Sequence, residues 1–135
     1  MKIIRPLLGE PDITQPFGPT SFVGEPPFAG FPHFHQGVDY ACPIGTPVRA
    51  CAAGLMRLGH DDEWGYGIHA LVDHLNGVRS LYGHLSEILF KDGEHVSAGT
   101  TIARSGNTGN STGPHLHWGL LTAYDYPIPP AVLLF

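Results

Sequence analysis

A chain of 135 residues with 42% hydrophobic side chains is too apolar for a disordered segment and is the right size for one domain with a buried core. Its formal charge of −5, with no block of like charge, excludes the basic footprint of a nucleic-acid binder and the simplest electrostatic route to an anionic membrane or wall. The 18 glycines and 13 prolines, roughly twice the average usage of about 12%, interrupt the chain too often for long helices and favour short strands joined by turns.

Met1 to Pro6 carries charge, but Pro6, Gly9 and Glu10 break the apolar run before it reaches the length of a secretion signal. No later apolar run approaches a membrane span. The stretch "QPFGPTSFVGEPPFAGFPHF" (15–34) cannot hold a long helix, because Pro16, Pro19, Pro26, Pro27 and Pro32 interrupt it. It reads as a packed, irregular loop anchored by Phe17, Phe22, Phe28 and Phe31. Cys42 and Cys51 are compatible with a disulfide and equally with two buried thiols.

From residue 47 the pattern becomes strand-like. Tyr66, Ile68, Ala70 and Val72 alternate onto one face of "YGIHALVD" (66–73). "GVRSLYGH" (77–84) follows, and Asn76-Gly77 between them predicts a hairpin. Residues 85–93 have room for one short helical turn. "TTIARSG" (100–106) and "HLHWGLL" (115–121) read as further strands. Gly45–Ala50 and Gly93–Ala98 share the form G-x-x-V-x-A, a faint internal echo.

The arrangement of the nine histidines carries the chemistry. On a strand, His115 and His117 point to one face beside Gly119, while Leu116, Trp118 and Leu120 point into a core. The bland alternative is a pair of solvated strand histidines. In "HFHQGVDY" (33–40), His35 and Asp39 would lie about 13 Å apart in an extended strand, at roughly 3.3 Å per residue. Zinc holds its ligands at about 2.0–2.2 Å, so the segment must bend, and Gly37 lies midway to permit it. Two ligands from the bent segment and one from the distant strand form a nitrogen/nitrogen/oxygen set that suits zinc and leaves a fourth position for water. His33 competes as a ligand but sits on the wrong side of His35 to share the turn with Asp39.

Other residues have plainer readings. Asp73, His74 and Asn76 are turn chemistry. His60, His69 and His95 are surface or supporting groups, with His69 placed near the cleft floor. Gly106, Gly109 and Gly113 lack the G-x-x-x-x-G-K phosphate pattern and instead shape the loop that delivers His115. Trp64 and Tyr66 either wall a groove for an extended peptide or simply pack.

"HFHQGVDYACPIGTPVRA" (33–50), "LYGHLSEI" (81–88) and "SGNTGNSTGPHLHWG" (105–119) together resemble the lysostaphin-type (LytM-like) zinc endopeptidases, which cut peptide bonds in bacterial peptidoglycan. The family pattern is H-x-x-x-D, then a separate histidine, then H-x-H. Here these are His35 and Asp39, His84, and His115 and His117, and the likeness runs from about residue 13 to residue 121. The resemblance implies that His35, Asp39 and His117 bind Zn2+ and that His84 and His115 are catalytic. No H-E-x-x-H glutamate is present, so a histidine is the available base. His115 is expected to deprotonate the water, and His84 to stabilise the oxyanion or assist the leaving amine, with the two roles exchangeable. Many members carry a tyrosine before the first ligand. Residues 17–34 have none, so either another group such as Tyr82 or a water replaces it, or the intermediate is less stabilised here.

The implied fold is all-β: a small two-sheet antiparallel β-sandwich with an open groove, of the family's duplicated half-motif type, forming one metallopeptidase domain over 1–135. The implied partner is a peptidoglycan stem or cross-bridge peptide, with the D-alanyl cross-link favoured over a glycine bridge. No nucleic acid or membrane partner is expected, and the protein is expected to be a monomer. Action at the cell wall without a signal suggests a phage lysin or virion-associated enzyme, delivered by holin or virion. The alternative is a non-catalytic peptidoglycan-binding or regulatory module, which the five occupied positions disfavour. A structural zinc domain would need a fourth protein ligand such as His33.

Overall fold

The computed structural model describes residues 1–59 and 65–134. His60 and Trp64 lie outside the described residues.

Short strands follow from the dense turn residues. In chain order they are β1 (Ile13–Gln15), β2 (Gly18–Pro19), β3 (Phe34–His35), β4 (Val38–Ala41), β5 (Pro47–Arg49) and β6 (Gly54–Leu58). Then come β7 (Ile68–Asp73), β8 (Val78–Ile88), β9 (His95–Val96), β10 (Thr101–Ser105), β11 (His115–Thr122) and β12 (Pro127–Ile128). A 3₁₀ turn at Pro130–Val132 follows. Pairing is antiparallel, in the order β1-β4-β11-β8-β7-β6-β9, with β12 on β11 and a small β2-β3 ladder apart. The long strand β8 joins two layers. Its first half pairs with β7 and β11, and its second half pairs with β10, which also carries β5. The structure is therefore the all-β, antiparallel architecture expected.

Strand β11 shows why the layers pack. Leu116, Trp118 and Leu120 are fully buried and meet Ala70, Val72 and Tyr82 of the same layer and Val48, Ile102 and Ala103 of the other in one core cluster. Because strand side chains alternate, the opposite face of β11 carries His115, His117, Gly119 and Leu121. The hydrophobic alternation that builds the core thus leaves the histidines on the far face. The hairpin joining β7 to β8 turns as predicted: Asp73 and Asn76 side chains accept from the Leu75 and Val78 amides, and Gly77 takes φ 85°.

Two expectations are corrected. Leu85–Ile88 hold no helical turn but continue β8, because β10 captures their backbone groups. The turn comes later, where Glu94 receives the Lys91 amide and Gly93 takes φ 83°. The N-terminal loop is not anchored by Phe22 and Phe31, which are 50% and 46% exposed. Its anchor is the buried Phe34, with the Phe17 and Phe28 rings edge-on at 5.2 and 5.1 Å. Cys42 and Cys51 are free thiols. The G-x-x-V-x-A echo survives at two positions: Gly45 and Gly93 both take left-handed φ, and Val48 and Val96 are both buried.

Candidate metal centre

The register of β4 on β11 sets Asp39 directly opposite His117. Gln36 and Gly37 then turn the chain so that His35, on β3, meets both. Gly37 does this with ordinary backbone rather than a left-handed φ. What it supplies is space, since a Cβ there would lie 2.6 Å from the Trp118 carbonyl oxygen and 2.7 Å from the His117 ring. The glycine is required by close approach, not by the backbone freedom expected of it.

Three donor atoms converge. His35 Nε2 lies 3.1 Å from Asp39 Oδ1 and 3.2 Å from His117 Nδ1, and His117 Nδ1 lies 2.9 Å from Asp39 Oδ1. A tetrahedral zinc with bonds near 2.0–2.1 Å holds its ligand atoms roughly 3.3 Å apart. The residues are 1%, 8% and 5% exposed. Outside them, His35 Nδ1 donates to the Pro16 carbonyl at 3.0 Å. That bond fixes the tautomer, so a neutral His35 presents an Nε2 lone pair to a carboxylate and a second imidazole. Buried lone pairs so placed repel unless a proton or a cation sits among them.

Without a cation, protons take that part. Burial opposes charge on Asp39, yet hydrogen bonds from His117 and His35 and their charges hold its carboxyl well below the usual range. Burial likewise opposes charge on His35, but the Asp39 hydrogen bond and charge outweigh it and raise its pKa. The site is built to hold positive charge between these groups, so the residues present fit a zinc ion.

His84 and His115 flank the cluster. His84 stands where β8 gains a residue between its pairings to Ala70 and Ile68, and this bulge turns the ring toward His117 and His115. Its φ of 58° is left-handed, a strained setting held by its amide donating to the Tyr66 carbonyl at 2.7 Å. His84 Nδ1 donates to the Thr108 carbonyl at 2.7 Å, and His115 Nδ1 donates to the Gly113 carbonyl at 2.7 Å with Ser111 Oγ at 3.1 Å. In its neutral form each ring therefore carries its lone pair on Nε2. The rings sit 4.6 Å apart, and His115 Nε2 is 3.6 Å from Asp39 Oδ2. Burial, with help from charge on His115 and His117, pushes the His84 pKa down to about 4 against the opposing Thr108 bond.

The glycine-rich loop was expected to deliver His115, and it also orients His84. Gly109 (φ 76°) and Gly67 (φ 64°) pack backbone to backbone, while Thr108 Oγ1 donates to the Leu85 carbonyl at 2.6 Å. The supporting carbonyls of Pro16, Thr108 and Gly113 were not identifiable beforehand, because a backbone acceptor leaves no residue-type signal.

Other expectations resolve plainly. His33 Nδ1 donates to the Glu25 carbonyl at 2.8 Å and stays out of the cluster. Among the described residues the three-membered group has no fourth histidine, cysteine or acid. His69 is buried, donating to the Gly67 carbonyl at 2.8 Å. His74 does more than turn chemistry, since its ring reaches the Ala53 carbonyl and Ser80 Oγ. Tyr82 cannot replace the missing tyrosine. It is fully buried on the core face, its hydroxyl bound to the Cys51 amide and Ser80. The tyrosine at the site is Tyr66, its ring 5.0 Å from that of His117, with its pKa pushed up to about 12 by burial and nearby acidic charge.

The cluster lies between two depressions. One, of about 480 Å³, reaches Asp39 and His115 and is lined by Thr14, Gln15, Thr20 and Phe22. The other, of about 330 Å³, reaches His84 and His117 and is lined by Glu25, Gln36, Tyr66 and Asn110. The cluster is thus open to solvent-accessible space on both sides.

The chain is 48% identical over 84 residues, 62% of its length, to the DD-carboxypeptidase/endopeptidase Mpg of Neisseria meningitidis, of which this covers 19%. It is 44% identical over 87 residues, 64% of its length, to the peptidoglycan DD-endopeptidase ShyA of Vibrio cholerae, covering 20% of that protein. The chain thus spans about a fifth of the length of these curated relatives. Among solved structures, a zinc-containing peptidase from Vibrio cholerae superposes with a TM-score of 0.81 at 31% identity, over 96% of this chain and 39% of that one. Residues 33–129, a span that contains the three converging donors and both flanking histidines, match peptidase family M23, and the chain belongs to that family of zinc metallopeptidases.

Proposed function

We propose that the chain is a zinc-dependent endopeptidase of bacterial peptidoglycan, with His35, Asp39 and His117 as metal ligands and His84 and His115 as catalytic residues. The observation that carries this is the convergence of three buried donor atoms with two imidazole Nε2 atoms beside them, on rings anchored through Nδ1, in an open groove. Bound zinc would supply an activated water and a Lewis acid for the scissile carbonyl.

The protein's own groups divide the proton work. His115 is the better base: its Nε2 lone pair lies 3.6 Å from Asp39 Oδ2, so the imidazolium formed on taking a proton from water is stabilised by a carboxylate. Burial disfavours an imidazolium at His84. His84 therefore starts as a hydrogen-bond acceptor, holding the attacking water or a substrate N–H. It donates to the oxyanion or the leaving amine only after receiving a proton.

The bond cut is the D-alanyl cross-link rather than a glycine bridge. The names of two relatives, at 48% and 44% identity, support this preference. Action is at the cell wall, in the periplasm or outside the cell, by a monomer. A phage-delivered lysin is one setting in which such a domain meets that substrate. A wall-binding module would have no use for a paired His84 and His115 with fixed tautomers.

The test is muropeptide release from purified walls of cross-linked and glycine-bridged chemotypes. Wild type is expected to cut the directly cross-linked wall. His117→Ala should lose both zinc and activity, and His115→Ala should keep zinc and lose about 10²–10⁴-fold in turnover. A zinc-loaded wild type that releases nothing from any wall would overturn the reading.

A further inference from the structure

Along β8 and β11 the cross-strand pairs step away from the metal cluster on one sheet face: His117 opposite Gly83, Gly119 opposite Leu81, Leu121 opposite Arg79. Residues two apart on a strand share a face, so Leu81, Leu121 and Arg79 continue the floor that holds His117. A third depression of about 380 Å³ lies over this stretch, with Leu71 and His69 completing its lining. It shares Tyr66 and Gln36 with the depression that contains His84 and His117, so the two adjoin.

Arg79 is the only arginine or lysine among the described residues lining the three depressions, whose acids are Glu25, Asp39 and Asp125. Its guanidinium is underused. Nη2 donates to the Thr122 carbonyl at 3.1 Å and to the Asp125 carboxylate. Nε is enclosed with no partner, and Nη1 has none among the described residues. Asp125 is a loose partner. Its side chain is 74% exposed, and it sits on a turn with a left-handed φ of 63°. An exposed pair of this kind is weak and screened. Asp125 shows what the guanidinium takes, a carboxylate, and is placed to yield it to another.

We infer that Arg79 anchors a substrate subsite for a free carboxylate on the peptide, with Leu71, Leu81 and Leu121 receiving the apolar part of the adjoining residue. The inference rests on the peptidase reading and deepens it. From His117 to Leu121 is four residues, about 14 Å at roughly 3.4 Å per residue. The carboxylate recognised therefore lies within about three to four extended residues of the bond cut. Guanidinium–carboxylate pairing is directional and suits Arg better than Lys.

The test uses synthetic cross-linked stem peptides in which each free carboxylate is replaced in turn by its carboxamide. Wild type should show a roughly tenfold rise in KM, with kcat little changed, for one carboxamide and not the others. Arg79→Gln should raise KM similarly for the all-carboxylate peptide and no longer distinguish the two. Asp125→Asn, which frees the guanidinium, should lower KM for the carboxylate peptide. Equal turnover of every peptide by wild type would overturn the subsite without touching the peptidase reading, as would an Arg79→Gln variant that still discriminates. If zinc-loaded wild type cuts none of the set, the peptidase reading falls and the subsite falls with it. The wild-type comparison needs no variant to fold.

Discussion

His35 and His117 offer different ring nitrogens to the cluster, Nε2 and Nδ1, and each choice has a visible cause. The Pro16 carbonyl takes the Nδ1 proton of His35. The short reach of Nδ1 suits His117, which faces Asp39 directly across the ladder. Gly37 stands against the Trp118 carbonyl and the His117 ring, so Gly37→Ala must shift the bend locally and push that imidazole aside. We predict a fall of about 10–100-fold in zinc affinity, with the fold kept, measured by competition with a chromophoric chelator. Unchanged affinity would show that the ring tolerates the Cβ. At this scale the two segments that meet at the cluster were legible from spacing, because the strand period puts His115 and His117 on one face and Gly37 stands midway between His35 and Asp39. The roles of the two tyrosines were not legible. Tyr82 faces the core through its regular pairing with Ala70 and Trp118, whereas Tyr66 lies ahead of β7 and of the left-handed Gly67, where the strand alternation read from the sequence no longer holds.

Strand β11 and the loop before it act as one element. Alternation in "HLHWGLL" gave β11 and its core face without ambiguity. The following layer was harder, because Leu85–Ile88 read equally well as a turn of helix until β10 is present to pair with them. The loop's glycines were noticed, but their purpose lies in backbone contacts. Gly109 takes φ 76°, and a Cβ there would come within 2.3 Å of the Gly67 amide nitrogen. Gly109→Ala should therefore lift the loop from residues 65–67 and disturb the Thr108 and Gly113 carbonyls that orient His84 and His115. The expected result is normal zinc content with kcat reduced about 10²-fold, the scale of a displacement of about 1 Å in catalytic groups. Loss of zinc instead would mean that the loop supports the His35, Asp39 and His117 cluster rather than His84 and His115.

At the scale of the whole molecule, stability and pH are linked through two histidines whose charged form the fold disfavours, His84 buried and His74 half-buried. Burial lowers the His74 pKa below 6.5 despite its bond to Ala53 and the nearby Asp73, and His84 falls to about 4. Through these two groups the unfolded chain binds more protons than the fold as pH drops below about 6.5, so their contribution to stability rises with pH through that window, while His35, whose pKa is raised, contributes in the opposite direction. Denaturant midpoints should fall from pH 7 to pH 5. The fall should be smaller in His74→Gln, which leaves the metal ligands untouched. An equal fall in both would remove His74 from the account. Core, groove and metal cluster share one sheet, with Trp118 on one face and His117 on the other, so the fold is what holds the donor atoms together. The most direct measurement is a crystal of the zinc-loaded protein with diffraction recorded on both sides of the zinc absorption edge. One anomalous peak should lie among His35 Nε2, Asp39 Oδ1 and His117 Nδ1, with His84 and His115 outside bonding distance. A peak bonded to His84 or His115 in place of one of the three, or no peak in the groove, would contradict the assignment.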